Sequence, residues 1–237
     1  MNVLVDYIKN SPSTLMISLS ILVNILLVWK LRDMINIFTK KQAMLFGVLL
    51  TLFGIGSISF FYQLSGWIMP GILHSGIFGL FCFGVLLMYL ISRVSLKRFG
   101  DMLDVFAVLM SVYGALNRIC CLITGCCSGV ELPWGDLHWP NRELEVAFFL
   151  ISFFVLMHFR TTTKFPGQMF LYFMIGYGAF RFLNEFLSKG QELFYGLKIA
   201  HIWSFLCVAV GISVYSELSL RVERNKRHKK NGGNLRC

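Results

Sequence analysis

The stretch IMPGILHSGIFGLFCFGVLLMYLI, residues 68–91, runs for twenty-four positions without an Asp, Glu, Lys or Arg. As an α-helix at 1.5 Å per residue it would reach about 36 Å, enough to cross a hydrocarbon core of about 30 Å. Further apolar runs fall at about 14–29, 43–62, 103–124, 144–159, 167–187 and 199–216. The first and fifth are short for a full crossing, and flanking residues have to extend them. The composition of the 237 residues agrees: 56% are hydrophobic and 15% aromatic, and only 14% are charged. A soluble domain needs about a quarter charged residues to cover its surface. A soluble globular enzyme, a disordered chain and a collagen-like repeat are therefore excluded. The expected fold class is an all-α polytopic membrane protein, a bundle of about seven transmembrane helices. Merging or dropping the fifth run would make six.

The net charge of +10 is a topology signal. Lys30, Arg32, Lys40 and Lys41 lie in one inter-span loop, Arg93, Lys97 and Arg98 in another, and Arg160 and Lys164 in a third. Arg221, Arg224, Lys226, Arg227, Lys229, Lys230 and Arg236 lie in the tail, so sixteen of the 22 basic residues fall on one side of seven alternating spans. The positive-inside rule then puts the N-terminus outside and the C-terminus in the cytoplasm. The first residues lack a basic n-region and a small-residue cleavage site, so no cleaved signal peptide is expected. No repeat or linker divides the chain. We expect one membrane domain over 1–217 and a basic cytoplasmic tail over 218–237, resting on anionic lipid rather than nucleic acid.

Ionisable groups inside spans are costly and mark function or pairing. His74 lies about seven residues into the third run, Arg118 late in the fourth, and Arg181 late in the sixth with Glu185 one turn on. With alternating spans, each comes within about 10 Å of the outer face. Three helices would thus place polar groups in one layer, at the depth of phospholipid headgroups. Two guanidinium forks suit a phosphate, and a histidine can take a proton near neutral pH. The same residues also have purely structural readings. Arg118 can snorkel outward, Arg181 and Glu185 can pair at i, i+4, and His74 can be a hydrogen-bonded core residue.

Of the seven cysteines, Cys120, Cys121, Cys126 and Cys127 cluster, while Cys82 and Cys207 read as packing residues. Close helix packing, a disulfide on an oxidising face and a metal site all remain open for the cluster, though the spacing is not that of a usual metal site. Residues 125–145 form a Gly- and Pro-rich outer segment with Trp134 and Trp139 suited to the membrane interface. It serves either as a rim that admits a protein substrate or as an ordinary interfacial loop.

Four blocks of this sequence resemble the bacterial phosphatidylglycerol–prolipoprotein diacylglyceryl transferases, in the family's order. His74-Ser75-Gly76-Ile77-Phe78-Gly79 resembles the His-Gly-Gly-x-x-Gly block. Residues 117–129, from Asn117-Arg118-Ile119 to Cys127-Ser128-Gly129, resemble the Gly-Arg-Ile-Gly-x-Phe-x-x-Gly-x-x-x-Gly signature. Trp139-Pro140 through Glu145 resembles His-Pro-x-Gln-x-Tyr-Glu, and Gly167 to Glu185 resembles the block Tyr-x-x-x-Arg-Phe-x-x-Glu. The departures are Ser75 for Gly, Cys121 where many members have Asn, Cys126 where many have Glu, Trp139 for His, Leu144 for Tyr, and Ser188 where an Arg often follows.

The resemblance implies a multi-pass enzyme of the bacterial inner (cytoplasmic) membrane. It implies transfer of diacylglyceryl from phosphatidylglycerol to the lipobox cysteine thiol of a prolipoprotein, with release of glycerol phosphate. By position, Arg118 and Arg181 would hold the phosphate and His74 would help deprotonate the thiol. Gly76, Gly129, Glu145, Tyr177 and Glu185 would shape the substrate site, Tyr177 and Glu185 by orienting the lipid and Arg181. The resemblance implies no cofactor, metal or nucleotide. The departures keep two other expectations open: a non-catalytic lipid-binding or assembly protein of the same fold, and a related transferase with a different acceptor.

Overall fold

The structure is a computed structural model that describes residues 19, 22–30, 48, 76–95, 98–125, 129–131, 138–189 and 196–232. His74, Ser75, Cys126, Cys127, Trp134 and Cys237 lie outside the described residues, as do most of the expected runs at 14–29 and 43–62. Everything regular among the described residues is helical apart from two isolated antiparallel bridges. Residues 22–30 are helical. The longer helices are α1 (Gly76–Ser95), α2 (Phe99–Thr124), α3 (Asn141–Phe159), α4 (Gln168–Glu185) and α5 (Ile199–Gly232).

Two of them, α2 and α5, are long and apolar enough to cross a membrane. The run expected at 144–159 is a separate helix of 19 residues, because Asn141, Arg142 and Glu143 add a polar first turn to the apolar stretch. Helix α5 continues well past the expected end at 216. Half of its extension over 217–232 is Glu, Arg and Lys, which are good helix formers, and Glu217 accepts from Arg221 Nε at 2.8 Å across one turn.

Large apolar side chains face outward, and polar and charged side chains are buried within an otherwise apolar interior. Phe154, Leu183 and Phe205 are more than half exposed, while Asp104, Asn141, Glu145, Asn184, Glu185 and Lys198 are buried. That distribution suits a lipid surround, where polar groups must find partners inside the bundle. Helix α4 packs chiefly on α5 and α2 chiefly on α3, and α2 also touches α1 and α4. Between them lies an aromatic core. Phe81 of α1 stacks on Phe173 and Tyr177 of α4 at 5.8 and 5.7 Å, and Tyr177 stacks on Phe149 of α3 at 5.5 Å. Offset ring stacks of this kind fix relative helix rotation more tightly than aliphatic contacts do.

The start of α4 is held by α2. The Asp104 carboxylate accepts the backbone N–H of Gly167 at 2.9 Å and that of Phe170 at 3.1 Å. The first N–H groups of a helix have no partner within the helix, and a carboxylate there also complements the positive end of the helix dipole. Such a cap from another helix requires close approach. Gly100 permits it, since a Cβ there would come within 2.6 Å of the Pro166 backbone. Gly167 itself takes φ 91°, the left-handed conformation that glycine adopts without strain.

Asp104→Ala should cost about 2–3 kcal/mol, the scale of buried hydrogen bonds to a charged acceptor. Thermal unfolding in detergent measures this, and Asp104→Asn should recover part of the loss. An unchanged midpoint in the alanine variant would show that Asp104 does not cap α4.

Candidate active site

At the opposite end of the bundle from Asp104, three helices bring charged side chains together. Arg118 stands on the penultimate turns of α2, Glu145 on the second turn of α3, and Arg181 and Glu185 on the last turns of α4. The Glu145 side chain is 1% exposed and sits between the two arginines. Its Oε2 pairs with Arg118 Nε, and its Oε1 accepts from Arg181 NH1. Arg181 also pairs through NH2 with Glu185 Oε2 at 2.5 Å. The guanidinium groups keep limited exposure, 14% for Arg118 and 13% for Arg181. Arg118 therefore does not simply snorkel into solvent, and the i, i+4 pair expected of Arg181 and Glu185 is formed as part of a larger cluster.

A buried carboxylate is tolerated only where cations and donors compensate it. Glu145 thus selects the rotamers of both arginines at once. Tyr177 lies one turn before Arg181 and is 1% exposed, with its ring among Phe81, Phe149 and Phe173. Its packing anchors the α4 face from which Arg181 projects.

A polar frame surrounds the cluster. Asn184 donates from Nδ2 to Asn141 Oδ1 and accepts from Trp139 Nε1 at 3.3 Å. Arg142 donates to the Cys121 carbonyl at 3.4 Å, joining the start of α3 to the end of α2. Residues 129–131 and 138–139 fold over the end of α4. Val130 N–H donates to Leu187 O at 3.0 Å, Trp139 N–H to Val130 O at 2.9 Å, and Gly129 bridges to Ser188. A Cβ at Gly129 would lie 2.4 Å from the Trp139 carbonyl oxygen, so this crossing requires glycine. At the rim, Lys189 hydrogen-bonds Glu131 at 3.0 Å and, with His138 near by, holds that carboxyl below the usual range.

Two residues here were not singled out by the sequence reading. Lys198, 6% exposed, donates from Nζ to the carbonyls of Glu185, at 2.8 Å, and Ser188. It caps the end of α4 with a cation, as the helix dipole favours. Its backbone N–H donates to Nδ1 of His201 at 2.9 Å. The available signal was a lysine and a histidine three apart at the head of the last apolar run. Ser188, placed by the resemblance where an Arg often stands, contributes only backbone to this arrangement.

Of the residues expected at the site, Arg118, Glu145, Arg181 and Glu185 share one cluster, Tyr177 underpins it, and Gly129 braces its rim. Gly76 begins α1. Cys82 and Cys207 are free thiols. A separate apolar cavity of about 770 Å³ runs between α1, α2, α4 and α5, past Phe81, Phe170, Trp203 and Cys207, and no charged member of the cluster lines it.

Residues 13–216 match the prolipoprotein diacylglyceryl transferase family, and the chain belongs to it. It is 25% identical over 165 residues to a phosphatidylglycerol–prolipoprotein diacylglyceryl transferase of Dehalococcoides mccartyi, covering 62% of this chain and 64% of that protein. It is 27% identical over 161 residues to the protein of that name in Clostridioides difficile, covering 65% and 63%. With that of Campylobacter hominis it shares 28% over 102 residues, 41% of this chain and 37% of that protein. The match thus spans less than two thirds of these relatives.

Glu145→Ala would leave two guanidinium groups crowded without their shared counter-ion. A destabilisation of about 3–5 kcal/mol is expected, as for breaking other buried ion pairs from one side. Chemical or thermal unfolding of the purified protein measures it, with Glu145→Gln expected to lose less. A loss below about 1 kcal/mol would mean that the carboxylate does not organise the arginines.

Proposed function

We propose that this protein transfers a diacylglyceryl group from phosphatidylglycerol to the lipobox cysteine thiol of a prolipoprotein. It does so as a multi-pass enzyme of the bacterial inner membrane, with seven spans, the N-terminus outside and the cytoplasm-facing loops carrying the basic residues. The observation that carries this reading is the meeting of Arg118 and Arg181, from two helices, around one buried carboxylate. Family membership supplies the reaction that such a pair of forks would serve.

In this reading the phosphate of the lipid headgroup engages the two arginines. A guanidinium carries five N–H donors; Arg118 meets Glu145 through Nε, and Arg181 meets Glu145 and Glu185 through its two terminal nitrogens, so each retains N–H groups for a phosphate oxygen. The charges are consistent with that: Arg118, Arg181 and Lys198 against Glu145 and Glu185 leave one positive charge, the complement of a single phosphodiester.

His74 takes the proton of the substrate thiol, and the thiolate is the nucleophile. Sulfur attacks the glyceryl carbon that bears the phosphate oxygen. The new C–S bond is a thioether, the C–O bond breaks, and its electron pair leaves on glycerol phosphate. Arg118 and Arg181 stabilise the charge gathering on that leaving oxygen, an electrostatic contribution worth most in a site screened from water. Glu145 and Glu185 fix the forks before the lipid arrives, which removes the cost of ordering them during reaction. Tyr177 holds Arg181 through the packing of α4, and Gly76 and Gly129 let backbone approach the substrate closely.

A second reading, a non-catalytic lipid-binding protein of the same fold, is favoured by the departures at Cys121, Cys126 and Ser188. A lipid-binding protein without turnover would keep the same cluster.

Incubation of purified protein with phosphatidylglycerol and a lipobox peptide should yield a thioether product detectable by mass spectrometry. Arg118→Ala and Arg181→Ala should each lower the rate by about a hundredfold or more, the scale seen when a charge-stabilising donor is removed. Full activity in both variants would overturn the assignment. Lipid binding with no product from the unmodified protein would favour the second reading.

A further inference from the structure

On α5, Nε2 of His201 and Oγ of Ser204 are buried polar atoms with no hydrogen-bond partner among the described residues. They lie one turn apart on the side of α5 that faces α4. The His201 ring lies 5.2 Å from that of Phe182 and 4.3 Å from that of Phe186. Beside them α4 approaches so closely that a Cβ at Gly178 would meet the Ser204 carbonyl at 2.8 Å. Three other helical serines dispose of their hydroxyls locally. Ser92, Ser111 and Ser213 donate to carbonyls three or four residues back, at 2.7, 2.7 and 2.8 Å. Ser204 does not. An apolar seam between helices thus carries a short polar strip, and such atoms in a native protein call for an explanation.

His201 is the informative member. It is 2% exposed, and its Nδ1 accepts the Lys198 backbone N–H at 2.9 Å. With Nδ1 an acceptor, the neutral ring carries its proton on Nε2, which is therefore a donor. The ring lies within electrostatic reach of Glu185, Lys198 and Arg181, at the edge of the charged cluster. The rings of Phe182 and Phe186 that face it offer no oxygen to that donor.

Resting on the transferase reading above, we propose that His201 is a headgroup-binding residue, whose Nε2–H donates to a hydroxyl oxygen of a polyol headgroup while the arginines hold the phosphate. The division follows from chemistry. The phosphate charge goes to the guanidinium forks, whereas a neutral buried donor discriminates hydroxyl-bearing ligands from those lacking the hydroxyl, because the latter leave it unpaired. Ser204 continues the same strip. Selection of a hydroxylated phosphodiester lipid over a charge-matched lipid without hydroxyls is the consequence.

The test is equilibrium binding to full-length protein in detergent micelles, comparing phosphatidylglycerol with phosphatidylethanol. Both are singly charged phosphodiesters, and only the first has headgroup hydroxyls. The unmodified protein should prefer phosphatidylglycerol. His201→Phe should weaken that lipid by roughly three- to tenfold, the scale of one hydrogen bond, and leave phosphatidylethanol within about twofold. His201→Gln, which keeps an N–H donor, should restore much of the preference. Equal losses for both lipids, no loss, or a glutamine variant no better than phenylalanine would overturn the proposal. Should the phenylalanine variant not fold, the His201 ring nitrogen signals of unmodified protein decide. They should shift on titration with phosphatidylglycerol and not with phosphatidylethanol, and equal response to both overturns the proposal. Arg181→Ala should lose both lipids. If it does while His201→Phe changes nothing, the histidine assignment alone fails. If Arg181→Ala binds phosphatidylglycerol normally, the transferase reading fails and takes this inference with it.

Discussion

The contact on which the site depends is the carboxylate of Glu145 between the guanidinium groups of Arg118 and Arg181. A buried carboxylate and two partly buried guanidinium groups cannot be arranged freely. Each has left water, and each recovers that cost only in the presence of the others. Helices α2, α3 and α4 are therefore tied at one end by a single acid. The pairing also answers a design problem specific to cationic sites. Two arginines drawn to one point repel each other, and a carboxylate between them relieves the repulsion without removing all their donors.

Helix α4, which carries Tyr177, Arg181 and Glu185, is secured at both ends by groups matched to its dipole. Asp104 from α2 receives N–H groups at its start, and Lys198 from the head of α5 donates to carbonyls at its end. Between those caps, Tyr177 is locked among the rings of Phe81, Phe149 and Phe173. A helix constrained by an anion, a cation and a ring stack has little freedom to rotate or slide. Arg181 and Glu185 inherit that rigidity, which the proposed stabilisation of a developing charge would require.

The departures from the family pattern have structural consequences that differ in kind. Trp139 retains a polar hand, because its indole N–H reaches Asn184. Ser188 gives up a charged side chain and keeps a backbone role, with its carbonyl turned to Lys198. Cys121 likewise enters through its carbonyl, which accepts from Arg142. Two of these three positions now act through main-chain atoms, which any residue supplies. The frame can therefore persist while side chains vary.

The composition, the spacing of apolar runs and the isolated charges within them determined the helical class and, apart from the end of α5, the approximate helix positions among the described residues, and they marked Arg118 and Arg181 as charges out of place in apolar runs. Those features follow from solvation, and solvation is written locally in a sequence. Partnership was not legible in that way. Glu145 lies at a helix start, where an acid needs no explanation, and nothing local says that it joins two arginines from other helices. Asp104 and Lys198 resembled ordinary charges at the ends of apolar runs until the approach of α2 and α5 to the two ends of α4 made them caps. Hydrogen-bond and ion-pair energies depend on distances of a few ångströms between segments far apart in the chain, so the tertiary packing alone decided which charges meet.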